Sequence, residues 1–304
     1  MRLMRKSLLT LCSLFLAVSV LVPLTTVDAA DQKWINQVWS EYKSYNKKTV
    51  NAYNNYQKQA DKKYKAFYNA SHASLDQLEK KVLEDQKQWD EKLRADLEQL
   101  KLKYEGNRDV KDKLTQYERL INPSYLNGPM WKYAKAADRD YLNSTLWKLS
   151  KEMNEDYLNS WMWTYKKTIT PSYLNSSAWK FSKTVSESYL NSPMWKLRNG
   201  SSTSYLNSPM WKYKHGKISK ATAKSQYSKL FKEQTTAISK GNAARKSEIT
   251  KMASGTQKKI DELYKETVVI LEARREEALK SISDLRIEIA GEGLQWEALL
   301  VEKP

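Results

Sequence analysis

The sequence predicts a mainly α, elongated protein in which two long helices pair as a coiled-coil hairpin and a tandem-repeat segment joins them. Three observations carry this expectation. The 304 residues include only 8 Gly and 7 Pro while 29% are charged, a balance that favours long helices over sheets with many turns. Apolar residues recur every 11 positions near both ends of the chain. In the middle, Tyr-Leu-Asn followed by Ser or Gly returns six times.

Residues 1–30 read as an export signal. Arg2, Arg5 and Lys6 precede an apolar run from Leu8 to Leu24, and Val27-Asp28-Ala29 places small residues where a signal peptidase reads them. Cleavage is expected after Ala29 or Ala30; the rival reading is an uncleaved anchor, because the run approaches the ~20 residues that span a bilayer. The single cysteine, Cys12, lies inside this segment behind Leu11, which is too large for a lipoprotein cleavage site. The remainder has no disulfide to lean on and must be held by packing. A Lys-rich, cysteine-free chain of this kind is expected to be secreted or cell-surface associated in a bacterium. Beyond residue 30 there are 49 Lys+Arg and 34 Asp+Glu, a net charge of +15. The partners this implies are an anionic cell-wall polymer, an acidic protein surface or anionic lipid, in preference to nucleic acid.

Residues 31–121 form the expected N-terminal helical arm. Trp34, Tyr45, Tyr56, Phe67, Leu78, Trp89 and Leu100 are 11 apart without a slip, and Val38 to Tyr104 and Tyr42 to Leu97 form two further lines at the same spacing. Steps of 4, 4 and 3 place eleven residues in three turns, so the stripe stays on one face of a straight or gently right-handed helix. The helix is expected to run to about residue 105, with Gly106 and Asn107 ending it. The C-terminal arm and tail, 220–304, repeat the device through Tyr227, Ile238, Ile249, Ile260, Leu271 and Ile282. Two such stripes can bury each other in a hairpin, self-associate between chains, or lie on lipid. Charges of both signs, 19 basic and 15 acidic over 31–121 and 17 and 13 over 217–304, favour a solvated coiled coil.

Residues 122–219 hold six copies of a 16-residue repeat of the form YLNSxxWK, beginning at 124, 140, 156, 172, 188 and 204. Tyr, Leu, Asn and Trp occur in all six, and Lys follows Trp in five, Thr164 being the exception. The linkers are polar and vary freely. One geometry puts Ser (Gly128 in the first copy) at an N-cap, with Pro opening the helix in three copies, so that each unit is a short helix. The other makes Tyr-Leu and Trp-Lys short strands of a β-hairpin solenoid.

Each copy offers two aromatic faces, an amide and usually a cation, which suits stacking on sugar rings, bonding to hydroxyls and meeting phosphate or carboxylate. The candidate binding residues are Tyr125, Asn127, Trp131 and Lys132 in the first copy, and Tyr141, Asn143, Trp147 and Lys148 in the second. The third copy supplies Tyr157, Asn159 and Trp163, and the fourth Tyr173, Asn175, Trp179 and Lys180. Tyr189, Asn191, Trp195 and Lys196 follow in the fifth, and Tyr205, Asn207, Trp211 and Lys212 in the sixth. Residues 122–216 carry 13 basic and 6 acidic side chains, so weak sites can add by avidity on a repeating anionic polymer. The competing reading makes Tyr, Leu and Trp a packing ladder between copies and Asn a turn residue.

Catalysis is not expected. Beyond the signal there is no cysteine, and the two histidines, His72 and His215, are far apart in sequence, so neither a metal centre nor a Cys/His nucleophile is expected, and no cofactor is called for. No Gly-rich phosphate loop, G-x-S-x-G or H-E-x-x-H is present. The functional expectation is an exported, non-enzymatic surface or cell-envelope protein; the alternative is a membrane-associated or membrane-active amphipathic helical protein.

Overall fold

The computed structural model describes residues 29–300, so the export-signal and anchor readings of residues 1–30 lie outside the described residues. Among the described residues there are nine helices and no strand, and the protein is mainly α. Helix α1 spans Ala29–Lys103 and α2 spans Arg108–Ile121. Six short helices follow: α3 Pro129–Ala136, α4 Thr145–Met153, α5 Trp161–Ile169, α6 Ser177–Val185, α7 Pro193–Gly200 and α8 Pro209–Lys214. Helix α9 spans Lys220–Ala290. The β-hairpin solenoid reading of the repeats is therefore corrected: each copy has a capping Ser or Gly and the pattern of a short amphipathic helix, which a strand cannot bury on one side.

Every residue of the three 11-residue lines on α1 is buried or half-buried, as are Tyr227, Ile238, Ile249, Ile260, Leu271 and Ile282 on α9. The first arm ends at Lys103, where Gly106 takes a left-handed conformation (φ 76°) and Asn107 caps α2 by accepting from the Asp109 N–H.

The chain forms two compact units, and each draws on all three segments: one takes residues up to 52 with 183–241, the other 53–182 with those from 242 onward. In the second unit α1 and α9 run parallel, because contacts pair Tyr56 with Lys246, Asp85 with Arg275 and Asp96 with Arg286, each 190 positions apart. In the first unit Asp31 meets Lys220, 189 positions on, and Glu41 meets Tyr227, 186 on. The antiparallel hairpin expected from the sequence is thus corrected. The repeat segment is itself the return path, so the second arm enters beside the start of the first.

The short helices step backwards along both arms at a fixed ratio. Tyr64 donates to Glu155 in one unit, and Tyr42 donates to Glu187 in the other; Glu187 lies two copies on, and Tyr42 two 11-residue steps back. Against α9, Trp161 lies by Lys259 and Ser177 by Glu248 in one unit, while Thr184 packs on Gly241 and Gly200 on Leu230 in the other. Sixteen repeat residues match eleven arm residues each time. That step corresponds to a rise of about 16.5 Å. A Cβ at Gly200 would sit 1.9 Å from Leu230 Cδ2, so any larger residue there would have to displace the Leu230 side chain.

The inward face of each copy is Met130, Leu146, Met162, Ala178, Met194 or Met210, all at most 2% exposed, followed three residues later by Tyr133, Leu149, Tyr165, Phe181 or Leu197 in the first five copies. Helix α2 takes part in the same series, since Tyr117, 16 residues before Tyr133, makes the equivalent bond. Tyr117 donates to Asp96 at 2.7 Å and Tyr133 to Asp85 at 3.0 Å. Each carboxylate is clasped by an arginine of α9: Arg275 reaches Asp85 through Nε (2.8 Å) and a terminal nitrogen (3.0 Å), and Arg286 reaches Asp96 the same way. Bidentate geometry with a third donor satisfies charges that would otherwise be costly to bury. Both arginines also donate to the C-terminal segment, Arg275 to the Glu297 carbonyl and Arg286 to that of Glu292.

Candidate binding surface

Each repeat opens with a turn that positions its exposed residues. The Ser N–H (Gly128 in the first copy) bonds back to the Tyr carbonyl at 2.9–3.1 Å in all six copies, closing a four-residue Tyr-Leu-Asn-Ser turn. Its third residue, Asn127, Asn143, Asn159, Asn175, Asn191 or Asn207, has φ between 62° and 66°. This is the left-handed region, which Asn tolerates better than other residues with a side chain, and it gives the Asn its structural reason.

The capping Ser makes two bonds at once. In copies two to six its Oγ accepts the Trp backbone N–H at 2.9 Å. The same hydroxyl donates, at 2.6–2.8 Å, to the carbonyl six residues earlier. That carbonyl belongs to Asp138, Asn154, Thr170, Ser186 or Ser202, and the side chain of all but Thr170 accepts the backbone N–H two residues on. Asn122 does so in the first copy. The linkers therefore do not vary freely: three residues before each Tyr the chain always has Asn, Asp, Ser or Thr. That signal is present in the sequence as a chemically restricted column.

The geometry sorts the candidate residues by exposure. Tyr125, Tyr141, Tyr157, Tyr173, Tyr189 and Tyr205 are 39–43% exposed, and the Leu beside each is 63–67% exposed. The Asn residues are exposed, the Trp residues half-buried, and Lys132, Lys148, Lys180 and Lys196 exposed, with Lys212 half-buried. The Leu was read as packing and stands instead at the outermost point of the tip. Met, Leu or Ala one residue before Trp packs the core in its place.

Trp from one copy meets Tyr of the next edge to face: Trp131–Tyr141, Trp147–Tyr157 and Trp163–Tyr173 have ring centroids 6.1–6.4 Å apart in one unit, and Trp195–Tyr205 5.7 Å in the other. A cation four residues after Trp sits at the corner. Lys135 lies 4.9 Å from the Tyr141 ring, Lys151 5.3 and 4.9 Å from Trp147 and Tyr157, and Lys167 4.6 and 4.4 Å from Trp163 and Tyr173. Lys183 stands 4.9 Å from Tyr189. These corner lysines were overlooked in the sequence because they sit in the linkers. Lys135 also bonds Asp138 at 2.8 Å, and that hydrogen bond is the chief reason the Asp138 carboxyl lies below its ordinary range.

The four tips from Tyr125 to Asn175 lie in one unit and step along it by about 16.5 Å, one per eleven arm residues. Among the described residues no group of three His, Asp or Glu is placed to hold a metal ion. No helix among them is long and apolar enough to cross a membrane. No protein-family model matches the chain, and no curated protein and no solved structure is significantly similar to it.

Proposed function

We propose that the protein is an exported, non-enzymatic envelope or surface protein whose repeats bind an anionic wall polymer or an acidic partner surface. The observation that carries this reading is the recurrence of one exposed group, Tyr-Leu-Asn with Trp and Lys at its base, at a constant step on a basic segment. Each copy offers an aromatic edge for a sugar or acyl face and a cation for phosphate or carboxylate, and several weak contacts on one polymer multiply. Export rests on the sequence of residues 1–30, and the arms act as the frame that fixes the spacing.

The test replaces Lys132, Lys148, Lys180, Lys196 and Lys212 together by Gln. Helicity and melting are expected to change little, since exposed lysines contribute little to stability. Retention on purified cell walls is expected to weaken, with a flatter dependence on salt. Retention and salt response equal to the parent would overturn the polymer reading.

The exposed Leu of each tip, beside a part-exposed Tyr on a basic segment, favours association with an anionic lipid surface as a second reading. Flotation with anionic liposomes beside wall binding separates the two: binding to liposomes alone removes the wall reading.

A further inference from the structure

The Trp–Tyr corner is built in each unit, yet its cation is not always supplied by the chain. At the position four residues after Trp stand Lys135, Lys151, Lys167 and Lys183 in the first four copies. The sixth copy has His215, whose ring stacks on Trp211 with centroids 4.4 Å apart. In the fifth copy the residue is Asn199, which is uncharged. Its rings keep the same arrangement: Trp195 and Tyr205 meet at 5.7 Å with planes at 83°. Trp195 is half-buried and Tyr205 is 43% exposed, so both rings are partly accessible to solvent, while the Asn199 amide nitrogen is buried and makes no hydrogen bond.

We propose that the corner between Trp195 and Tyr205 binds an organic ammonium group supplied from outside the chain. The chemistry is read from the sister copies, where an ammonium nitrogen is held 4.4–5.3 Å from the same pair of rings. Two rings with planes at 83° leave their π faces turned toward a common corner, and it is the ring faces, which carry the negative π density, that attract a cation, as the lysines of the sister copies show. An incoming alkylammonium reproduces the end of the lysine side chain that Asn199 does not provide. The two rings also belong to the surface proposed to meet the polymer, but binding of a free ammonium does not depend on that reading. Its salt dependence has the opposite sign, because the chain's positive charge repels a free cation and added salt screens that repulsion.

The probe is tetramethylammonium, with tert-butanol as a neutral counterpart of similar size, followed through the indole N–H resonances of the purified chain. Loss of one resonance in Trp195→Phe assigns it. With tetramethylammonium that resonance is expected to shift saturably, with no weakening on added sodium chloride, and tert-butanol is expected to leave it in place. Asn199→Lys, which supplies an internal cation, is expected to weaken the response at least about tenfold. Lys151→Asn is expected to create a second responding indole, that of Trp147, and this gain keeps the test decisive if Asn199→Lys folds poorly. An equal response to tert-butanol, no response of Trp195, or no gain in Lys151→Asn would overturn the assignment.

Discussion

Replacing Arg275 by Met isolates the cost of the buried charge that ties the arms to the first repeat. Arg275 and Asp85 are about 5% exposed, and the arginine gives Asp85 two bonds at 2.8 and 3.0 Å and the Glu297 carbonyl one at 2.8 Å. Methionine fills much of the volume but leaves Asp85 with the Tyr133 hydroxyl alone. Breaking a buried pair from one side costs about 3–5 kcal/mol, because the remaining charge is desolvated without a partner. Urea unfolding followed by circular dichroism at neutral pH should report a loss of that size. Converting Asp85 to Leu as well should recover most of it, a coupling a double-mutant cycle reads directly. A loss below about 1 kcal/mol in Arg275→Met, the value of an ordinary surface pair, would refute the claim that this pair is buried and required.

Ser160→Ala removes both the bond from the Trp163 N–H at 2.9 Å and that to the Asn154 carbonyl at 2.6 Å, and thermal unfolding should show a loss of about 1–2 kcal/mol. Asn159 has φ 66°, so Asn159→Gly should leave stability near the parent while Asn159→Ala costs about 1 kcal/mol by the same measurement; an equal effect of both would mean the amide, not the backbone, sets the turn. Burial alone would raise the Glu155 carboxyl, but hydrogen bonds from Lys166 and Tyr64 outweigh it and hold it below its ordinary value of 4.5. A lowered value means stability that is present above pH 4.5 and lost as pH falls through the folded-state value, so Glu155→Gln should flatten the acid limb of a stability-against-pH curve there and leave its shape near pH 7 unchanged.

Much of this fold is legible in the sequence, and the parts that are not have physical reasons. The stripes of α1 and α9 are visible because burial on a 3.67-residue period leaves apolar residues 11 apart. Their direction is not visible, since a stripe reads the same from either end, and only the return path through the repeats makes the arms parallel. Asp85 and Arg275 look like solvated helix charges until the pairing is known, although Asp96 and Arg286 repeat each of them at a spacing of 11. The Ser cap and the Pro that opens α3, α7 and α8 were readable from local chemistry alone. The exposed Leu was misassigned because hydrophobicity indicates burial only on average. The corner lysines were missed because they sit in the linkers and the Tyr ring they meet belongs to the next copy.

The most direct measurement removes one step of the gearing. Deleting residues 156–171 takes out one repeat; deleting 54–64 from α1 and 244–254 from α9 as well takes out the matching eleven residues of each arm. If sixteen repeat residues are geared to eleven arm residues, the triple deletion should keep the parent's helicity per residue and a single melting transition within about 10 °C of it. The repeat deletion alone leaves a stretch of both stripes uncovered and should melt far lower or in more than one step. Equal melting of the two deletion variants, or a more stable repeat-only deletion, would contradict the account.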